Sequence, residues 1–403
     1  MNVVFLGPAF PPEMRDFTRG LAQAGAKVFG VGDGPLHPAI QPYLSAYLRV
    51  PSLTHAQDVH ERVLHWLRGH TVDDVIGNWE PTMLTAAKLR QSLGLSGMSV
   101  DQVQGFRDKP LMRARVEAAG VRIPKTRRAT SIHEVLEAST QIGFPVVLKP
   151  VDGAGSADTF IVNTMVELKA ALPKLLHVNE VSVEEFIKGQ EFTYETICIN
   201  GKPIFEGMSR YEPNTLEARQ NEWISPVIQS LTRLNLPHLR QARLMGQRAI
   251  KALGMGTGFT HMEWFLTDQG EVVFGEIACR SPGANMVDLM NYAGDIDLYA
   301  AWGQAVVHGG IHPLVPKSRS AAIIFKRATG QGFIRRITGL RTFIHKYRPH
   351  IARVDLLPVG SPRRNWRQTF LSDGNLVVRH EDPEYTLMMA REAARAIQLY
   401  ASP

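Results

Sequence analysis

The sequence predicts an α/β protein that opens with a parallel-sheet domain and continues into hairpin-rich, mixed α+β structure. Three observations predict it. Residues 2–6 (NVVFL) and 27–31 (KVFGV) are short apolar runs separated by a helical stretch at about 13–25, which makes a β–α–β opening. Further on, EFTYETICINGKPIFEG and FTHMEWFLTDQGEVVFGEI alternate apolar and polar residues around Asn200-Gly201 and Asp268-Gln269-Gly270, as hairpins do. The closing stretch, EDPEYTLMMAREAARAIQLY, switches to a helical period.

In chain order, the first strand ends at Gly7 and the second near Asp33, so their following loops are placed to meet a ligand. A GxGxxG fingerprint is absent, which weakens a dinucleotide reading. QDVHERVLHWLRG reads as a helix, DDVIG as a strand and PTMLTAAKLRQSLG as a helix, giving an open α/β domain over the first hundred or so residues. RDKPLMRARVEAAGVRIP is an amphipathic helix stopped by Gly120 and Pro124. PVVLKP leads as a strand into the glycine-rich turn Asp152 to Ser156, followed by the strand TFIV and a helix over about 165–176. VSVEEFI is an edge strand before Lys188-Gly189-Gln190-Glu191, and from about residue 316 AAIIFKRA and NLVVRH are strands.

Composition narrows the function. The 403 residues, 44% hydrophobic, suffice for two or three domains with a large core. No run of eighteen apolar residues occurs, which argues against a membrane span. MNVVFLGPAFPPEM lacks a basic n-region and a cleavage site, so it reads as a first strand and not a signal peptide. Cys198 and Cys279, both in apolar strand-like contexts, fit a reducing cytoplasm and argue against a disulfide framework or a zinc site. The net charge of +7 comes from dispersed arginines, with only the pairs Arg127-Arg128, Arg335-Arg336 and Arg363-Arg364. That distribution argues for anionic small molecules and against nucleic acid.

Charged residues at strand ends carry the chemistry. In FGEIACRSPG, Glu276 and Arg280 stand four apart with small residues between them. A structural ion pair is the plain explanation, and a solvated helix charge is the plain one for Lys109. Lys149 ends an apolar strand before the glycine turn, where backbone N–H groups can converge on phosphate oxygens beside a lysine; a hairpin without ligand is the alternative. VSVEEFIKGQEF offers a backbone carbonyl and N–H matched to adenine, and carboxylates for its amino group and the ribose; a solvated acidic edge is the alternative. Glu263 and Glu276 lie on the two strands of one hairpin, and opposed carboxylates there are destabilising unless a cation lies between them. Mg²⁺, held by one or two carboxylates plus phosphate oxygens, is the candidate, with Arg280 facing the same anions.

This ordered set resembles the ATP-grasp superfamily of ATP-dependent carboxylate–amine ligases, in particular the L-amino acid ligases. An open α/β domain is followed by RDKPLMRARVEAAGVRIP, VVLKPVDGAGS, VEEFIKGQE, HMEWF and GEIACRSPG in the family's order. The resemblance implies three parts: an N-terminal domain over 1–104, an ATP-grasp domain over 105–312 with a mobile lid at about 122–187, and a C-terminal α+β subdomain over 313–403 completing the core. It implies that Lys109 and Lys149 reach the nucleotide phosphates, and that Gly153, Ala154, Gly155 and Ser156 form the phosphate loop. Glu184 would accept from the adenine amino group, Glu185 and Ile187 would supply the backbone partners of adenine, and Glu191 would hold the ribose. Glu263 and Glu276 become metal ligands for Mg²⁺, with Mn²⁺ able to stand in, and Arg280 stabilises phosphate and the oxyanion. His261 occupies a place where L-amino acid ligases also carry histidine, a core position being the other reading; Glu80 resembles an acid lining the substrate pocket. Ala278 departs from the Asn common there, which favours the dipeptide-forming subgroup and puts a second Mg²⁺ in question. The implied activity is formation of an amide bond from a carboxylate and an amine with release of ADP and phosphate, in a cytoplasmic enzyme, with a homodimer allowed. The alternatives are a carboxylase or purine-pathway ligase using carboxyphosphate, and an ATP-binding regulator that makes no product.

Overall fold

The computed structural model describes residues 1–151, 159–232, 234–313, 319–366, 369 and 371–403. Its first lobe runs β1 (Asn2–Leu6), α1 (Met14–Gln23), β2 (Lys27–Gly32), β3 (Leu44–Arg49), α2 (Ala56–Trp66), β4 (Asp74–Gly77) and α3 (Glu80–Leu93). The strands form a wholly parallel sheet in the order β3-β2-β1-β4. Val3 to Leu6 are fully buried because helices cover both faces of the sheet. The end of β4 delivers Asn78, and the first turn of α3 begins at Glu80. Two short helices follow, α4 (Val100–Arg107) and α5 (Lys109–Ala118). Asp108 ends the first and caps the second, accepting from the Leu111 amide at 3.0 Å, which sets Lys109 as the first residue of α5.

A separate antiparallel sheet follows: β5 (Thr126–Ala129), α6 (Ile132–Ile142), β6 (Val146–Pro150), β7 (Phe160–Val162), α7 (Met165–Ala171) and β8 (Val181–Glu185), with strand order β5-β8-β6-β7. Two expectations are corrected here. The VSVEEFI strand is interior and not an edge, because the short charged segment TRRA forms β5 and covers it. The helix expected over 165–176 ends at Ala171 and tightens into a 3₁₀ turn at Leu172–Leu175, where Pro173 supplies no backbone donor. The glycine turn Gly153 to Ser156 lies outside the described residues.

The central sheet has eight strands, in the order β13-β12-β9-β10-β11-β14-β18-β17. It is built from β9 (Gly189–Ile199), β10 (Lys202–Glu212), α8 (Thr215–Gln220), β11 (Val227–Ser230), α9 (Pro237–Leu253), β12 (Gly258–Thr267), β13 (Val272–Ala278), α10 (Met286–Gly294), α11 (Leu298–His308) and β14 (Ser320–Phe325). The chain closes with β15 (Thr329–Gly330), β16 (Phe333–Thr338), α12 (Leu340–Tyr347), β17 (Ile351–Leu356), β18 (Gly374–His380), α13 (Pro383–Ala396) and β19 (Gln398–Ser402). Both expected hairpins form, β9–β10 at Asn200-Gly201 and β12–β13 at Asp268 to Gly270. The closing helix stops at Ala396, and the last residues pair with β16 as a strand instead of extending it. One hydrophobic core joins Val3, Phe5, Phe17 and Leu21 of the first lobe to Phe259, Leu298 and Trp302 of the rest. No helix among the described residues is long and apolar enough to cross a membrane.

Candidate active site

The site is assembled on one face of β9, β12 and β13. Period-two alternation places Glu191 and Glu195 of β9 on the same face, and the register sets Glu195 opposite His261 and Glu191 opposite Phe265. Across the next pair, Glu263 lies directly opposite Glu276 and His261 opposite Ala278. The other face carries Met262, Trp264 and Ile277 into the core, so the hydrophobic pattern drives the carboxylates outward together. Gly275 makes the close pairing of the two strands possible, since a Cβ there would fall 2.7 Å from the Glu263 carbonyl oxygen.

A cavity of about 530 Å³ brings most of the expected residues together: Lys109, Lys149, Glu184, Glu185, Ile187, Glu191, Glu263 and Glu276 all line it. Phe186 and Ile187 follow the paired part of β8, before β9 begins, so the backbone at that turn borders the cavity beyond the sheet. Glu80, His261 and Arg280 do not line it. His261 lies behind Glu263, its Nε2 3.6 Å from a Glu263 oxygen and its Nδ1 3.0 Å from Glu195. Arg280 donates through Nε to Glu80 at 2.8 Å, bridging the central sheet to the first lobe.

Cations and carboxylates are matched in pairs. Lys109 Nζ is 2.8 Å from Glu276, and Lys149 Nζ is 2.9 Å from Glu184. Burial pushes the Lys109 ammonium down, but Glu276, Glu184 and Glu263 outweigh it and hold its pKa above the ordinary value. For Lys149 burial wins, and its pKa falls despite Glu184. Burial alone would raise the Glu184 carboxyl; Arg113 and Lys149 overcome it and hold it at about 2. Glu191 is raised, first by burial and then by the neighbouring charge of Glu263, while its carboxylate accepts from the Thr215 amide at 2.6 Å. Burial lowers His261, but Glu195 and Glu263 bring it up to about 9.

Four residues not expected from the sequence shape the site. Arg113 clamps Glu184 through both terminal nitrogens at 2.8 and 2.9 Å; its position four after Lys109 on one helix face is the signal that marks it. Glu195 is fully buried beneath His261, two strand repeats beyond Glu191. Arg107 Nε sits 3.3 Å from Glu80, so that carboxylate lies between two guanidinium groups. Asn78 accepts from the Ser281 amide at 2.9 Å, tying β4 to the turn that carries Arg280. Nothing in the one-dimensional pattern marks Asn78 or Arg107.

The donor set suits a hard divalent cation: two carboxylates face each other with an ammonium already against one of them. Among the described residues, no group of three or more His, Cys, Asp or Glu is arranged to hold a metal unaided.

Residues 114–290 match the ATP-grasp domain family. The chain is 22% identical over 244 residues to the L-arginine-specific L-amino acid ligase of Bacillus subtilis, a match covering 59% of this chain and 58% of that protein. It spans about half the length of the curated relatives it matches. Among solved structures, the L-amino acid ligase of Bacillus licheniformis superposes with a TM-score of 0.77 at 20% identity, covering 100% of this chain and 99% of that one. The N5-carboxyaminoimidazole ribonucleotide synthetase of Thermotoga maritima does so with a TM-score of 0.71 at 17% identity, covering 100% and 99%. Residues 114–290 are an ATP-grasp domain, and the chain built around them resembles the ATP-grasp carboxylate–amine ligases, the L-amino acid ligases among them.

Proposed function

We propose that this protein is an ATP-dependent ligase that activates the carboxylate of an amino acid as an acylphosphate and joins it to an amine. The observation that carries this reading is the single cavity where Lys109, Lys149 and the facing pair Glu263 and Glu276 converge. Adenine is taken at the turn Glu185 to Ile187 and ribose near Glu191, while both lysines turn toward phosphate oxygens. Glu263 and Glu276 hold Mg²⁺, which when bound neutralises charge on the transferring phosphoryl group. The substrate carboxylate oxygen attacks the γ-phosphorus and ADP leaves. The amine nitrogen then attacks the acyl carbon, and phosphate leaves. We assign neutralisation of the acyl oxyanion to Arg280 on the resemblance; its guanidinium donates to Glu80 and to the Ser281 carbonyl outside the cavity lining, and has to leave one of them to reach the acyl group. Positioning and charge neutralisation carry such transfers, and the protein supplies both without covalent participation.

Similarity in fold to carboxyaminoimidazole ribonucleotide synthetases favours a second reading, a ligase working through carboxyphosphate. A screen of amino acids, amines and bicarbonate for stimulated ADP release separates the two. Amino-acid-dependent ADP and phosphate formation with a new amide product is the expected result. Bicarbonate dependence selects the second reading, and AMP with pyrophosphate as products overturns both.

A further inference from the structure

We propose that Lys109 and a divalent cation compete for the Glu276 carboxylate, so that metal and nucleotide can load tightly only together. The proposal rests on the reading of Glu263 and Glu276 as metal ligands and goes on to how that site is regulated.

Three observations converge. Lys109 Nζ is 2.8 Å from Glu276 Oε2, a contact that places the ammonium on the carboxylate a metal would need. The lysine is held there by its backbone: it is the first residue of α5, fixed by the Asp108 cap before it and Pro110 after it. Its side chain is about half exposed (52%), so it can swing away without breaking the core. The facing pair Glu263 and Glu276 supplies only two protein ligands, and no larger cluster exists among the described residues. A magnesium-like ion prefers six oxygens and keeps phosphates or waters to complete them.

A metal arriving alone therefore meets two carboxylates, one already occupied by a fixed-length ammonium of like charge. Nucleotide phosphates change both terms: they offer Lys109 another anion and give the metal its missing oxygens. By linkage, the factor by which nucleotide tightens metal equals the factor by which metal tightens nucleotide. Lys149 is the internal control. It stands in the same cavity but is paired to Glu184 at 2.9 Å, not to either facing carboxylate.

Mn²⁺ titration followed by electron paramagnetic resonance of the free ion tests this, with and without ADP. Wild type is expected to bind Mn²⁺ weakly alone and at least tenfold more tightly with ADP. Lys109→Met is expected to bind Mn²⁺ alone at least tenfold more tightly than wild type, and to gain much less from ADP; Lys149→Met, which removes a nearby charge but no contact to Glu276, should tighten Mn²⁺ alone well short of that. No tightening in Lys109→Met, or equal tightening in Lys149→Met, overturns the competition while leaving the metal ligands standing. Glu276→Gln distinguishes that failure from the deeper one: if it binds Mn²⁺ with ADP as wild type does, the metal assignment falls and the competition falls with it.

Discussion

Each oxygen of the Glu184 carboxylate already accepts two contacts: Arg113 and Ser182 on one, Arg113 and Lys149 on the other. For it to accept from an adenine amino group, Lys149 has to move, which is the movement a phosphate-binding lysine requires. Arg113 is the permanent partner, and both side chains are largely buried. Removing Arg113 leaves the buried Glu184 charge to Lys149 and Ser182 alone, at a cost of about 2 kcal/mol, short of the penalty for a fully uncompensated buried charge. Arg113→Met should lose about that much in urea unfolding, and the double variant with Glu184→Gln should lose less than the sum of the singles. The sign of the pH effect follows from a folded pKa held at about 2 against an ordinary 4.5. The pair's stabilisation is fully present above pH 4.5 and is lost as pH falls toward 2. Acid titration of Arg113→Met should lack that part of the slope; an unchanged slope would remove Arg113 from this role. If Glu191 holds the ribose as proposed, Glu191→Ala should weaken ATP binding about ten- to a hundred-fold by calorimetry, the worth of one charge-assisted hydrogen bond.

At the scale of elements, the β12–β13 hairpin is the part on which the proposed metal site depends. Its register shifts between Glu263 and Trp264, and the irregularity lets Glu276 stand opposite Glu263 while Phe274 faces Trp264. Gly275 sits inside that irregularity, with no room for a side chain beside the Glu263 carbonyl. Gly275→Val should lower thermal stability by roughly 1–3 kcal/mol, as overpacking does, and should lower turnover far more than ATP affinity. Equal loss of both would show that the hairpin positions nucleotide and not metal. Glu276→Gln keeps the shape but loses the charge. Turnover should nearly vanish while nucleotide still binds through Lys149 and the adenine turn, without the tightening that metal gives the wild type, measured by ADP release and calorimetry side by side.

Across the whole molecule, the contacts that fasten the first lobe to the rest of the chain include two close seams besides the Arg280–Glu80 bridge. One is the contact of α1 with α11, where Cβ atoms at Gly20 and Gly303 would each fall 2.2 Å from a backbone carbonyl oxygen of the other helix. Neither helix can yield, so Gly303→Val should separate them and destabilise the fold by on the order of 3 kcal/mol, read as a lower melting temperature. The other is the seam below Asn78 and Ser281, where a cavity of about 460 Å³ is lined by Asp74, Arg90, Met98 and Cys279. Burial raises Asp74 to about 6, against which Arg90 pulls it down only partly. A raised carboxyl costs stability as pH climbs from its ordinary 3.8 through 6. Asp74→Asn should therefore be more stable than wild type at pH 8 and gain nothing at pH 3.5; equal melting temperatures at pH 8 would argue that water or Arg90 already offsets the burial.

Sequence alone determined the fold class, because periods of two and 3.6 and the turn pairs Asn200-Gly201 and Gln269-Gly270 are local properties. It also put Glu263 and Glu276 on the two strands of one hairpin, but the register running from the turn would pair Glu263 with Gly275; the irregularity between Glu263 and Trp264, which the local pattern does not mark, brings Glu276 opposite. Two things escaped it at the level of elements: TRRA is too polar to read as a strand, yet it makes β8 interior, and Gln398–Ser402 pairs as a strand beyond the last helix. Strand pairing between distant segments leaves no local mark in either. The pairing of charges was decided only by tertiary structure. Lys109 is 167 positions from Glu276 and Glu80 is 200 from Arg280, so which carboxylate each cation meets depends on how the lobes pack. Residue type names the chemistry available to a side chain; the partner that holds or releases it is set by three-dimensional distance, over which a single chain's local pattern has no say.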